Sequence, residues 1–118
     1  MTNKEFAKKL KDVATKYKTL YVMGCFGAPM TEANKTRYIN HHEYNRRTNP
    51  KKCILEASPD TFGFDCVNLI KGILWGWTGD NTKTYGGAKY DPKKVADTNA
   101  DGMIKLCSDV STDFSTII

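Results

Sequence analysis

The sequence lacks any apolar run approaching the 18 or more residues that a membrane-spanning helix requires. Its amino-terminal segment, MTNKEFAKKLKDVATKYK, has lysines among its apolar residues every few positions. It therefore also lacks the continuous apolar core of a signal peptide. We expect a chain that is made in the cytoplasm, with no membrane span and no export signal.

Close pairs of metal ligands are absent as well. The two histidines, His41 and His42, are adjacent, and no C-x-x-C pair occurs among the four widely separated cysteines, Cys25, Cys53, Cys66 and Cys107. Zinc sites need close ligand pairs, so we predict no metal and no cofactor. Without an export signal a disulfide framework is not expected, and most of the thiols are predicted to be buried as small apolar residues.

Strand-like alternation of polar and apolar residues is scarce, whereas helical patterns are frequent. Thr2 to Glu5 has the spacing of a capping box, and the apolar positions that follow predict an amphipathic helix of about four turns. A second helix is predicted from Glu32 to about Arg47, ended by Asn49 and Pro50. Between them, LYVMGCFGAPM predicts a short extended segment and a turn.

The second half of the chain contains the most apolar helical pattern. After one or two helical turns over 51–57, with Cys53, Ile54 and Leu55 facing inward, a third helix is predicted to begin near Asp65. Helical spacing places Cys66 on its apolar face, with Ile70, Ile73, Leu74 and Trp77. Residues 78–92 predict a long loop, followed by a short helix from about Asn99 to Cys107. The last eleven residues, SDVSTDFSTII, contain no Gly or Pro that would mark the end of a helix or strand.

The chain is basic, with 18 Lys and Arg against 13 Asp and Glu and a net charge of +5. A basic surface fits a polyanionic partner such as an anionic cell envelope, or consists simply of solvated helix faces. The charge alone does not indicate nucleic acid, because the sequence has neither a stacking-rich motif nor a metal finger.

Cys66 stands at the predicted start of the third helix, where backbone N–H groups and the helix dipole favour a thiolate. Apolar periodicity alone favours a buried core cysteine at this position. Its sequence context favours a nucleophile. Phe64-Asp65-Cys66 followed by Leu69-Ile70, together with GILWGW over 72–77 and YGGA over 85–88, resembles the NlpC-type cell-wall cysteine peptidases, in particular phage and prophage endolysins.

The resemblance implies an α+β papain-like (NlpC-type) fold and the hydrolysis of amide bonds in peptidoglycan stem peptides, on the bacterial cell wall after release during lysis. It implies that Cys66 is the nucleophile and that its backbone contacts the oxyanion. Tyr21, in the segment Tyr21-Val22-Met23-Gly24, and Asp65 are expected to bind substrate. Val67 and Asn68 depart from the small pair that commonly follows the nucleophile in that family.

In the family a histidine on a strand follows the nucleophile, but no histidine follows Cys66 here. We therefore expect residues 1–118 to be a single, incomplete domain, mostly the helical first half with little strand of its own. His41 and His42 are the alternative bases. The apolar face with Ile70, Ile73, Leu74 and Trp77 is then expected to be exposed and to favour self-association or a complementing polypeptide. The alternative function is a non-catalytic module that binds cell wall or another subunit.

Overall fold

The computed structural model describes residues 2–106, and this part of the chain forms an α+β fold of six helices and three short strands. In chain order they are α1 (Asn3–Lys16), β1 (Thr19–Tyr21), β2 (Phe26–Pro29), α2 (Glu32–His41), α3 (Glu43–Arg46), α4 (Thr48–Glu56), β3 (Phe62–Phe64), α5 (Cys66–Leu74) and α6 (Ala100–Leu106). The predictions for Cys107 and for the last eleven residues lie outside the described residues. The coarse prediction, a mainly helical α+β chain with little strand, is confirmed.

The sheet has the order β1-β3-β2, with β3 in the centre. β3 pairs with β1 in parallel, aligning Phe64 with Tyr21, and with β2 in antiparallel. Each strand has only three or four residues, and all three positions of β3 are buried. A strand this short and covered on both faces shows no alternation, which explains why the sequence did not predict β3. Strands β1 and β2 form within the single extended segment that the sequence predicted.

Helix α1 forms as predicted, with the Thr2 side chain accepting a hydrogen bond from the backbone N–H of Glu5 at 3.1 Å. Its apolar side, Phe6, Leu10 and Val13, joins the larger of two hydrophobic clusters, which also contains β3 and α5. The smaller cluster lies between β2, α2 and α4. The predicted amphipathic helix is confirmed, and the structure packs its apolar side against α5.

Helix α2 ends at His41, so the prediction of one helix to Arg47 is wrong. His42 is extended, with φ −134° and ψ 122°, and the separate helix α3 follows. Side chains of α3 donate hydrogen bonds to the carbonyl groups at the end of α2: Asn45 donates to Tyr38 O at 2.9 Å, and Arg46 donates to Asn40 O at 2.8 Å. Such bonds satisfy groups that a helix end leaves unpaired, and they stabilise the break.

Helix α4 begins before the proline that was predicted to act as a stop. Pro50 lies in its first turn, where a missing N–H costs no helical hydrogen bond. Ile54 is fully buried, but Cys53 and Leu55 are exposed, contrary to the inward packing predicted for all three. Successive helical residues point about 100° apart, so one short helix cannot bury three in a row against one neighbour.

The apolar face of α5 packs on the chain's own sheet and on α1. Ile73 is 2% exposed and Trp77 8% exposed, while Ile70 and Leu74 are half-buried. The expectation of an exposed face is therefore wrong for the two buried residues. Close approach to the sheet depends on Gly72, because a Cβ there would lie 2.5 Å from the carbonyl oxygen of Phe26. Among residues 2–106, no helix is long and apolar enough to cross a membrane.

The segment between α5 and α6 has neither helix nor strand, as predicted, and polar contacts attach it to the core. Trp77 Nε1 donates to Gly27 O at 2.9 Å, and Trp75 Nε1 donates to Val95 O at 3.1 Å. The buried Lys71 ammonium donates to Asp97 at 2.6 Å. These contacts fix a loop of low apolar content against α5, and α6 begins within one residue of its predicted start.

Candidate functional site

Cys66 is the first residue of α5, and only Asp65 separates it from β3. The sequence predicted this helix start, and the structure confirms it. Cys66 is exposed, as is Cys53, whereas Cys25 is buried. The prediction of buried thiols is therefore right for Cys25 and wrong for the other two cysteines that the structure describes.

Asp65 caps α5 with a carboxylate whose two oxygens both accept hydrogen bonds. One oxygen accepts from the backbone N–H of Asn68 at 2.9 Å. The other accepts from the Gly24 N–H and from the Asn68 side-chain amide, both at 2.8 Å. Asp65 is 6% exposed, so these bonds satisfy a buried charge and fix the start of the helix. Asn68, which departs from the family's small pair, thus holds the cap, while the substrate-binding role of Asp65 stays a prediction.

Tyr21 lies at the end of β1, and its hydroxyl faces the Cys66 thiol. The parallel register that aligns Tyr21 with Phe64 brings the two side chains together. Partial burial, followed by the neighbouring Cys66 and Asp65, raises the pKa of Tyr21 above its ordinary value. Tyr21 therefore carries a proton at neutral pH and is able to donate a hydrogen bond to a substrate or to a thiolate.

An open groove of about 360 Å³ lies beside these two residues. Tyr21, Asp65 and Cys66 form its polar end. The remaining wall comes from α1, β1, β3 and α5 and is mostly apolar: besides Thr19 it consists of Leu10, Val13, Ala14, Leu20, Phe64 and Leu69. The groove can therefore hold an apolar group of a ligand directly beside the thiol.

The two histidines have different surroundings. His41 is exposed in the last turn of α2. His42 is half-buried, and its imidazole fills the space into which a side chain at position 24 would project. Gly24 has no side chain to collide with this ring, adopts φ 81°, and donates its N–H to Asp65. The break after α2 thus places His42 against the segment that holds Asp65 and Cys66.

Asn45 is a site-forming residue that the sequence interpretation missed. It is fully buried, and its side chain accepts from the Met23 N–H and donates to the Met23 carbonyl, both at 3.0 Å. These bonds attach α3 to the turn between β1 and β2, beside Tyr21 and Gly24. The available signal was spacing: Asn45 lies three residues after His42 and seven after Tyr38, on the weak apolar stripe of the predicted helix, where an asparagine requires hydrogen-bond partners outside the helix.

The attachment of α3 also brings an aromatic contact to Tyr21. The Tyr44 ring packs edge-on against the Tyr21 ring, with centroids 5.6 Å apart. The guanidinium of Arg47 lies 5.4 Å from the Tyr44 centroid, over the same ring. Two aromatic residues therefore connect the polar end of the groove to a cationic side chain.

Within the described part of the chain, no group of three or more Cys, His, Asp and Glu side chains has the geometry of a metal site. Comparison with protein-family models, with curated proteins and with solved structures yields no match in any of the three searches. The site residues and their geometry therefore carry the functional argument.

Proposed function

We propose that this chain is a papain-like cysteine peptidase of the NlpC type, or its nucleophile-bearing portion, and that it hydrolyses amide bonds in peptidoglycan stem peptides. The observation that supports the proposal is the position of Cys66. Its thiol is exposed at the N-terminus of α5, faces Tyr21, and borders an open groove. Helix starts favour thiolates, and an exposed thiolate beside a groove can reach a bound carbonyl.

The proposed reaction is acyl transfer. The Cys66 sulfur attacks the amide carbon, the C–N bond breaks, and the amine leaves after receiving a proton. Water then hydrolyses the thioester and regenerates the thiol. Backbone N–H groups in the first turn of α5 stabilise the oxyanion of the tetrahedral intermediate. Asp65 positions these N–H groups, because the hydrogen bonds that it accepts from Asn68 and Gly24 fix the first turn of α5.

A histidine that accepts and returns the proton is required by this chemistry. His42 is the first candidate in the chain because it packs on Gly24, whose N–H is bonded to Asp65. His41 is the second candidate, and a complementing polypeptide is a third source. In each case we propose that the enzyme acts on the cell wall after release during lysis.

A basic surface supports a second candidate function. Helices α3 and α4 and the residue between them carry Arg46, Arg47, Lys51 and Lys52. All of these except Arg47 line a shallow depression of about 500 Å³ together with Leu55 and Glu56. Such a surface attracts polyanions. The second candidate is therefore a binding module that holds an anionic cell-wall polymer without cleaving it.

The test is digestion of purified cell walls by the native chain, alone and with the polypeptide encoded immediately downstream. New amino and carboxyl groups would be identified by mass spectrometry of the released peptides. Cys66→Ala should abolish their release, whereas Cys53→Ala, which removes an exposed thiol outside the groove, should not. Cleavage by the Cys66→Ala protein would contradict the proposal. Retention on cell walls with no cleavage under either condition would favour the binding module.

A further inference from the structure

Arg47 is held in a defined position at the junction of two helices. Its backbone N–H donates to Tyr44 O at 3.2 Å, and its carbonyl accepts from the Lys51 N–H at 2.9 Å. Its side chain then lies over the Tyr44 ring. Because both the N–H and the carbonyl of Arg47 are hydrogen-bonded, the backbone from which its side chain extends is held in place.

The guanidinium of Arg47 is exposed, and within residues 2–106 no carboxylate lies at ion-pair distance from it. Its neighbour provides a contrast. The Arg46 guanidinium donates to Ile39 O at 3.2 Å and to Asn40 O at 2.8 Å, so it is occupied by the end of α2. Stacking on an aromatic face leaves the edge N–H groups of an arginine able to donate in the plane of the fork.

A series of side-chain contacts leads from Arg47 to the Cys66 thiol. The guanidinium contacts Tyr44, the Tyr44 ring contacts the Tyr21 ring, and the Tyr21 hydroxyl faces Cys66. A ligand lying along these rings with one end at Cys66 would place a group at Arg47 after roughly three or four extended residues, at about 3.3 Å per residue. Cys66 also borders the apolar groove, which α1 lines.

We propose that Arg47 is a specificity-determining residue that binds a free carboxylate of the substrate, while the apolar groove holds the part on the other side of the scissile bond. This inference rests on the proposed function, because it assigns the substrate class of the same site. The site then prefers acidic peptides to the corresponding amidated peptides. Arg46 and the two neighbouring lysines, Lys51 and Lys52, add to the positive potential but do not form the subsite.

The test uses two chloroacetyl tripeptides that are identical except for a C-terminal carboxylate or carboxamide. The Cys66 thiolate sulfur displaces chloride from the chloroacetyl carbon, so that an S–C bond forms while the C–Cl bond breaks and its electrons leave with chloride. The labelling rate of Cys66 is measured by peptide mass spectrometry, and Cys53 in the same molecules reports the reactivity of an exposed thiol outside the groove. This readout needs no hydrolysis, so it remains informative if the proposed peptidase activity fails.

The native protein should label Cys66 about tenfold faster with the carboxylate reagent, as expected for one charge-assisted hydrogen-bonded pair. Arg47→Gln should bring the ratio of the two rates close to one. Lys52→Gln, which removes the same charge from the same surface, should leave the ratio nearly unchanged. Arg47→Lys, which keeps the charge without the fork, should give an intermediate ratio and provides the same test if the glutamine variant fails to fold.

Equal ratios in the native protein and in Arg47→Gln would overturn the proposal. An equal loss in Lys52→Gln would also overturn it, because the preference would then come from the general potential of the basic surface. A loss in Arg47→Gln alone, with no hydrolysis of cell walls by any form of the protein, would support the carboxylate subsite while contradicting the peptidase proposal.

Discussion

Cys25 and Cys66 both adjoin Asp65, but one cysteine is buried and the other is exposed. The Asp65 N–H donates to the Cys25 carbonyl at 3.0 Å, and Cys66 follows Asp65 directly. Cys25 is fully buried in the cluster with Val22, Met30 and Ile54, and burial raises the pKa of its thiol to about 11. Cys66 is exposed beside Tyr21 and the groove. The same residue type is therefore a core residue in one place and a candidate nucleophile in the other.

The difference comes from the elements around each cysteine, not from the cysteine itself. Cys25 lies in the turn between β1 and β2, where the sheet, α2 and α4 cover its side chain. Cys66 begins α5 at the end of the central strand, where the chain leaves the sheet and the groove remains open. The general tendency of free cysteines to be buried holds for Cys25, but it says nothing about the opening beside α5.

The largest expected contrast is in alkylation. At pH 8, iodoacetamide should modify Cys66 readily and Cys25 at least about 100-fold more slowly, because a buried thiol with a pKa near 11 is almost entirely protonated. Rates would be measured for each cysteine by peptide mass spectrometry, with the exposed Cys53 as the reference. Unfolding in denaturant should remove the contrast. Rapid modification of Cys25 in the folded protein would show that the two environments do not differ as described.

The second contrast concerns the residue between the two cysteines. Asp65→Asn replaces one acceptor oxygen with an amide that faces other donors, so we expect a loss of about 2–3 kcal/mol of stability together with slower labelling of Cys66. Urea denaturation followed by circular dichroism would measure the loss. Asp12→Asn is the matched control, because its carboxylate makes a surface ion pair with Lys16 and should cost at most about 0.5 kcal/mol. Equal losses in the two variants would contradict the role assigned to Asp65.

The smallest effect is the pH dependence that Cys25 adds to folding. Its pKa is about 11 in the folded protein against an ordinary value of 9.0, so the folded state retains the proton at pH values where the unfolded chain loses it. The stabilisation is fully present below pH 9 and decreases as pH rises towards 11, by on the order of 2 kcal/mol. Cys25→Ala should show a shallower decrease than the native protein between pH 9 and pH 11 in urea denaturation. Parallel pH profiles would show that the buried thiol does not contribute.

Sequence patterns were sufficient wherever local spacing determines the structure. The capping box before α1, the start of α5 at Cys66 and the loop after α5 all depend on residues within a few positions of one another. The resemblance carried by Phe64-Asp65-Cys66 predicted a nucleophile at a position where the structure has a strand, a cap and an exposed helix start in succession. The strand there is β3, and its burial at every position hid it from the alternation rule.

The remaining features depend on contacts between distant segments. The break at His42 follows from the bonds of Asn45 to Met23 and Tyr38, and the first of these pairs is separated by 22 positions in sequence. No local pattern specifies that pairing. For the same reason, the sequence named His42 as an alternative base without indicating that it would pack on Gly24. The Tyr44 contact with Tyr21 likewise exists only because α3 folds back on the sheet.

Only one residue, Asp65, joins β3 to α5, so the start of the helix cannot move independently of the strand. A slip of β3 by one residue against β1 would carry Cys66 about 3.3 Å along the sheet and away from Tyr21, since no loop could absorb the movement. The relative position of Tyr21 and Cys66 is thus fixed by the pairing of two three-residue strands. Any condition that separates β1 from β3 should therefore also separate Tyr21 from Cys66.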